Sequence, residues 1–148
     1  MPPNPHPLIV HFPIALLTLS VFFEILARWS GRESLRSAAF WNLIFGVVFT
    51  AVAVASGLFA EEIVPKGGAA HEAMESHESL AFTTLSIFAG LFVWRVVRGG
   101  EFYRKFPTLF MAALLLAWAT LVATGFYGSE LVYRYGVAAP PLRETNGD

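Results

Sequence analysis

The sequence predicts an all-α fold, a bundle of four antiparallel transmembrane helices with both termini on the periplasmic side. Three observations predict it. Of 148 residues, 55% are hydrophobic and only 14% charged, with a mean hydropathy of +0.57, whereas a soluble domain carries about 25% charged residues. The few charges leave four stretches free of Asp, Glu, Lys and Arg, at 1–23, 37–60, 79–94 and 106–129. The remaining charges are sorted by sign between the connections.

A membrane helix needs roughly 17–25 mostly apolar residues. The first stretch gives a helix over 8–27, with Pro13 either kinking it or setting its start, because proline donates no backbone hydrogen bond. The second gives a helix over 38–60. The third stretch is short, and Arg95 and Arg98 can extend it to a helix over 78–97 by snorkelling to the interface. The fourth gives a helix over 106–127. Connections of roughly ten residues join the first helix to the second and the third to the fourth, as suits antiparallel neighbours; the one from Glu61 to His77 is longer. Residues 1–148 thus form a single integral membrane domain.

One side of the bundle holds Arg28, Arg32, Arg36, Arg95, Arg98, Arg104 and Lys105 against Glu24, Glu33 and Glu101, a net of 7 − 3 = +4. The other holds Lys66, Arg134 and Arg143 against Glu61, Glu62, Glu72, Glu75, Glu78, Glu130, Glu144 and Asp148, a net of 3 − 8 = −5. Lys and Arg gather in cytoplasmic loops, so the basic side is cytoplasmic and both termini face outward, to the periplasm of a bacterial inner membrane. Trp29, Trp41 and Trp94 at one set of helix ends, and Tyr127, Tyr133 and Tyr135 at the other, are placed as interfacial anchors. Trp118 is mid-span and packs in the bundle or against lipid. The N-terminus lacks the basic residues and cleavage site of a signal peptide. Small residues that let helices approach closely are Gly46, Ala53 and Gly57 in the second helix and Ala113, Ala117, Ala119 and Ala123 in the fourth. Each half forms a hairpin with a histidine pair on the acidic side, a faint two-fold repeat.

Without cysteine there is no disulfide, thiolate zinc site, iron–sulfur cluster or cysteine nucleophile. The low charge excludes a nucleic-acid partner. No nucleophile–base arrangement or phosphate loop occurs, so the chain is not expected to be an enzyme on its own. Glu24 is placed to reach the interface or to pair with Arg28 four residues on. Glu61 and Glu62 are placed to pair with Lys66, to serve a proton path or to be hydrated.

The histidines are the chemistry-bearing residues. His6, His11, His71 and His77 all fall on the acidic side. Three readings stay open. His11 and His77 meet across the first and third helices and ligate a b-type haem near the periplasmic face, with His6 and His71 as secondary candidates. Alternatively His6, His11, His71, Met74 and His77 bind copper or another metal, with Glu72, Glu75 or Glu78 as oxygen ligands. In the third reading the histidines cap helices and bond loop carbonyls. The Glu-x-x-His pattern of di-iron bundles is absent.

The opening His6-Pro7-Leu8-Ile9-Val10-His11-Phe12-Pro13-Ile14-Ala15-Leu16 resembles the start of a bacterial membrane family, domain of unknown function 2231. Ser56-Gly57-Leu58, His77 before a helix ending Trp94-Arg95, and Gly125 followed by Gly128-Ser129-Glu130-Leu131-Val132-Tyr133 and Tyr135-Gly136-Val137 continue the likeness along nearly the whole chain. Gly128-Ser129 and Gly136-Val137-Ala138 stand where the family tends to have Gly-Gly and Gly-Val-Gly. The resemblance implies a four-helix integral membrane protein, and relatives associated with cytochrome-like modules favour haem. The expectation is a redox-associated subunit in electron transfer, embedded in the lipid bilayer beside a cytochrome or larger membrane complex, or self-associated. The alternatives are a cofactor-free accessory subunit and a periplasmic-side metal binder.

Overall fold

The computed structural model describes residues 5–61 and 67–137. Glu62, Lys66, Arg143, Glu144 and Asp148 of the charge map lie outside the described residues. The elements are α1 (His6–Ile9), α2 (His11–Ser30), α3 (Glu33–Glu61), α4 (Ala69–Val96), a 3-10 turn (Val97–Gly100), α5 (Glu101–Lys105) and α6 (Pro107–Tyr133). Four stretches are long and apolar enough to cross a membrane: α1 with α2, α3, α4 and α6.

Each span outruns its charge-free stretch, because helix needs hydrogen bonds where lipid needs apolarity. The first span starts at His6, with Pro7 in its first turn, where the missing N–H costs nothing. Pro13 has no N–H for the Ile9 carbonyl, and the chain steps from α1 to α2 at Val10. The third span begins at Ala69, nine residues before the expected 78. Its first turns carry Glu72, Glu75 and Glu78 but bury Ala73 and Met74 against Leu131, Tyr135 and Val137.

The connections are tighter than the expected ten-residue loops. Only Gly31 and Arg32 separate α2 from α3. Gly31 ends α2 at φ +69°, a conformation without steric penalty only for glycine, and donates its N–H to the Ala27 carbonyl. The second connection folds into the 3-10 turn and α5, hinged on Gly100 at φ +81°.

Helices pack as a ring: α2 on α3, α3 on α4, α4 on α6 and α6 on α2. The core joins Leu17 and Val21 of α2, Leu43 of α3, Phe88 and Leu91 of α4, and Phe110, Leu114, Ala117 and Leu121 of α6. Phe22, Val48, Leu116 and Val122 are exposed on the outside, where lipid tails replace the protein neighbours that a soluble fold would supply. His6 packs on Gly57 near one terminus, and Tyr135 and Val137 pack on Met74 near the other, so both described chain ends approach the same end of the bundle.

Small residues mark the closest approach. A Cβ on Gly46 would lie 2.4 Å from Leu17 Cδ2, and Leu17 is fully buried. Gly46→Ala should therefore cost about 1–3 kcal/mol, the usual range for overpacking a filled core. A lowered thermal midpoint in detergent is the expected reading, and an unchanged one would contradict this packing. Ala53 and Ala117 are likewise buried, whereas Ala119 faces outward. Trp29 and Tyr133 are about nine-tenths exposed, as anchors require. Trp94 is half-buried, and its ring packs edge-on against Phe110. Trp118 packs at the α6–α2 seam, donating Nε1–H to Thr18 Oγ1 at 3.3 Å.

Candidate functional site

At the end of the bundle where the chain begins, α1 carries His6 across to α3. The His6 Nδ1 lies 2.9 Å from Ser56 Oγ. Ser56 gives its one proton to the Ala53 carbonyl at 2.8 Å, so the imidazole is the donor and Nδ1 carries the hydrogen. His77, two turns into α4, reaches α6 in the same manner, with Nδ1 3.0 Å from the Thr124 carbonyl oxygen. A carbonyl only accepts, so Nδ1–H donates here too. In each neutral ring the lone pair then resides on Nε2.

Both rings lie on glycine. A Cβ at Gly57 would sit 3.2 Å from His6 Cε1, and one at Gly128 would sit 3.0 Å from His77 Cε1. Larger residues at either position would lift the ring off its helix. The two ring centres lie 6.4 Å apart with their planes at 85°, an edge-on arrangement.

The ring beside His77 is thus His6 rather than the expected His11. His11 is exposed, though it lines the same cavity. That cavity measures about 460 Å³ and draws its walls from all four spans, including His6, His11, Met74 and His77. Its size falls in the range of small-molecule and cofactor sites, about 300–1,000 Å³. Thr84 and Thr124 also line it. Thr84 Oγ1 donates to Thr120 Oγ1 at 3.1 Å and lies 3.1 Å from Thr124 Oγ1. His71 is not among the lining residues; it lies 3.6 Å from Glu75 Oε1 on its own helix. Among the described residues no three His, Cys, Asp or Glu side chains come together as a metal site.

A second polar cluster closes the opposite end, and it changes two sequence expectations. Arg95 does not snorkel. It is buried and pairs with the buried carboxylate of Glu24. Its Nη2 also donates to the Arg36 carbonyl at 2.7 Å, and its guanidinium lies 4.7 Å from the Tyr103 ring centre and 5.4 Å from that of Phe40. Glu24 does not pair with Arg28, which instead donates to Thr108 Oγ1 at 3.0 Å. The second Glu24 oxygen accepts from the Tyr103 hydroxyl. A charge buried this far from water persists because every formal charge and most lone pairs have partners.

Burial, and then the bond to Glu24, push the Tyr103 phenol up to about 12. A group whose pKa is raised on folding contributes stability below its unfolded pKa, about 10 for tyrosine, and loses it as pH climbs through the folded value. The Tyr103 contribution should therefore hold up to about pH 10 and disappear toward about pH 12. Ultraviolet difference titration of the protein against Tyr103→Phe is expected to show one tyrosinate appearing only at that upper limit.

The family model for domain of unknown function 2231, described as a predicted membrane protein, matches residues 3–141. No curated protein and no solved structure matches the chain.

Proposed function

The chain belongs to the family of predicted membrane proteins called domain of unknown function 2231, and on that premise we propose that it is a small redox-associated membrane subunit holding one b-type haem between His6 and His77. The observation that carries this reading is the imidazole pair itself, 6.4 Å apart at 85° beside a cavity of about 460 Å³. An iron held by both rings at about 2 Å per bond puts the ring centres about 6 Å apart. Each Nδ1–H is tied to an oxygen, the arrangement that fixes tautomer and orientation in metal-binding histidines. A bare ion would find no third His, Cys, Asp or Glu ligand beside the two imidazoles among the described residues, whereas a haem would bring its remaining ligands with it.

Bound haem supplies one-electron chemistry whose potential the protein tunes through ligands, hydrogen bonds and burial. The residues of this chain do the holding. Ser56 and the Thr124 carbonyl orient the rings, Gly57 and Gly128 seat them, and mostly apolar side chains line the cavity beside them. With the basic end cytoplasmic by the charge rule, the site faces the periplasm of a bacterial inner membrane, within reach of a cytochrome or larger complex.

The test is the reduced-minus-oxidised visible spectrum of the purified protein, expressed with a haem supply. A b-type α-band near one haem per chain is expected. Folded protein without such a band would overturn the proposal and favour a cofactor-free accessory role.

A further inference from the structure

The histidine contacts repeat. His6 packs on Gly57 and His77 packs on Gly128, and in both cases the glycine follows 51 residues later. The two pairs are offset by 71 residues. The same offset carries Glu24 onto Arg95, its ion-pair partner at the far end of the bundle. It carries most buried positions of the first hairpin onto buried positions of the second, among them Leu17 onto Phe88, Ala39 onto Phe110 and Leu43 onto Leu114, while Val21 and Ala53 map onto half-buried Phe92 and Thr124. The tight contact of Leu17 on Gly46 maps onto fully buried Phe88 and Ala117. Outward positions follow too, Phe22 onto Val93 and Phe45 onto Leu116, all exposed to lipid. The ring of packed helices is what two such hairpins make, since the α3–α4 seam becomes the α6–α2 seam when the halves exchange. Residue identity at this offset is almost gone, so burial and contact carry the relation.

We infer that the chain is two diverged copies of one helical hairpin, 71 residues apart, docked about a pseudo-two-fold axis that passes between His6 and His77 and between Glu24 and Arg95. The cavity is then a site between the hairpins, and a ligand held by the imidazole pair lies on the axis and takes one nitrogen from each copy. At the other end a position facing its own equivalent would set like charge against like. Divergence to glutamate in one copy and arginine in the other turns that clash into the lock that fixes the docking. This inference is independent of the haem reading, and a missing α-band leaves it standing.

Two experiments on the full chain test it. The sequence has no cysteine, so spin labels go only where they are placed. Labels at F22C/F45C and at V93C/L116C, measured by pulsed dipolar spectroscopy in nanodiscs, should give the same distance; clearly different distances would overturn the duplication. The second uses E24R, R95E and the exchanged double variant E24R/R95E. Each single should lose most of its monodisperse, heat-resistant protein, and the double should recover more than half of the loss, because the axis makes the two positions interchangeable. A double no better than the singles would overturn the lock.

Discussion

His6→Ala and His77→Ala are each expected to remove the whole b-type band, while His11→Ala keeps it. The first two delete one ring of the adjacent pair; the third alters a residue that lines the cavity from an exposed position. Gly128→Val should act like His77→Ala, since a Cβ there already crowds the His77 ring at 3.0 Å and the two further methyl groups of valine push it from the Thr124 carbonyl. The measurement is the reduced-minus-oxidised spectrum per mole of protein, with far-ultraviolet circular dichroism to show that the helices remain. Loss of the band in His11→Ala with retention in His6→Ala would return the ligand role to His11. The effect is large because His6 and His77 would hold the group together, and one imidazole alone would leave half of that hold missing.

Arg95→Ala should destabilise the bundle by about 3–5 kcal/mol, the usual cost of leaving one charge of a buried pair uncompensated. Glu24 is 4% exposed and has no water to fall back on. Its remaining donor, the Tyr103 hydroxyl, is neutral through the physiological range. Glu24→Gln should cost less, because the amide oxygen still accepts from Tyr103 or Arg95. Replacing both charges by leucine should cost less than Arg95→Ala alone, since no charge is then stranded. Thermal or denaturant unfolding in one detergent would rank the variants. Arg95→Ala with wild-type stability would show that the pair contributes nothing.

The spans were legible because lipid leaves a sequence few choices: charge must leave the segment, and four charge-free stretches mark the helices. Their ends were not legible, since turns beyond the apolar core follow amphipathic packing. Glu72, Glu75 and Glu78 hide the helix that Ala73 and Met74 anchor. His6 and His77 were legible as histidines of one end, but their pairing was not. It depends on how α1 turns relative to α2, which the step at Val10 fixes and no spacing shows. Arg95 was misleading for a related reason. A lone arginine near a helix end is best accommodated by snorkelling, and only the fold reveals a carboxylate 71 residues earlier that holds it inside.

The two-residue turn at Gly31–Arg32 also bears on biogenesis. With no slack between α2 and α3, α2 cannot settle across a bilayer while α3 waits in water, so the pair is threaded as one unit. The contacts of such a unit are local and form early, whereas those between hairpins span many residues and wait for the second unit to arrive. The first hairpin therefore enters as a unit, and the cavity, whose walls come from all four spans, exists only once the second hairpin has packed against it.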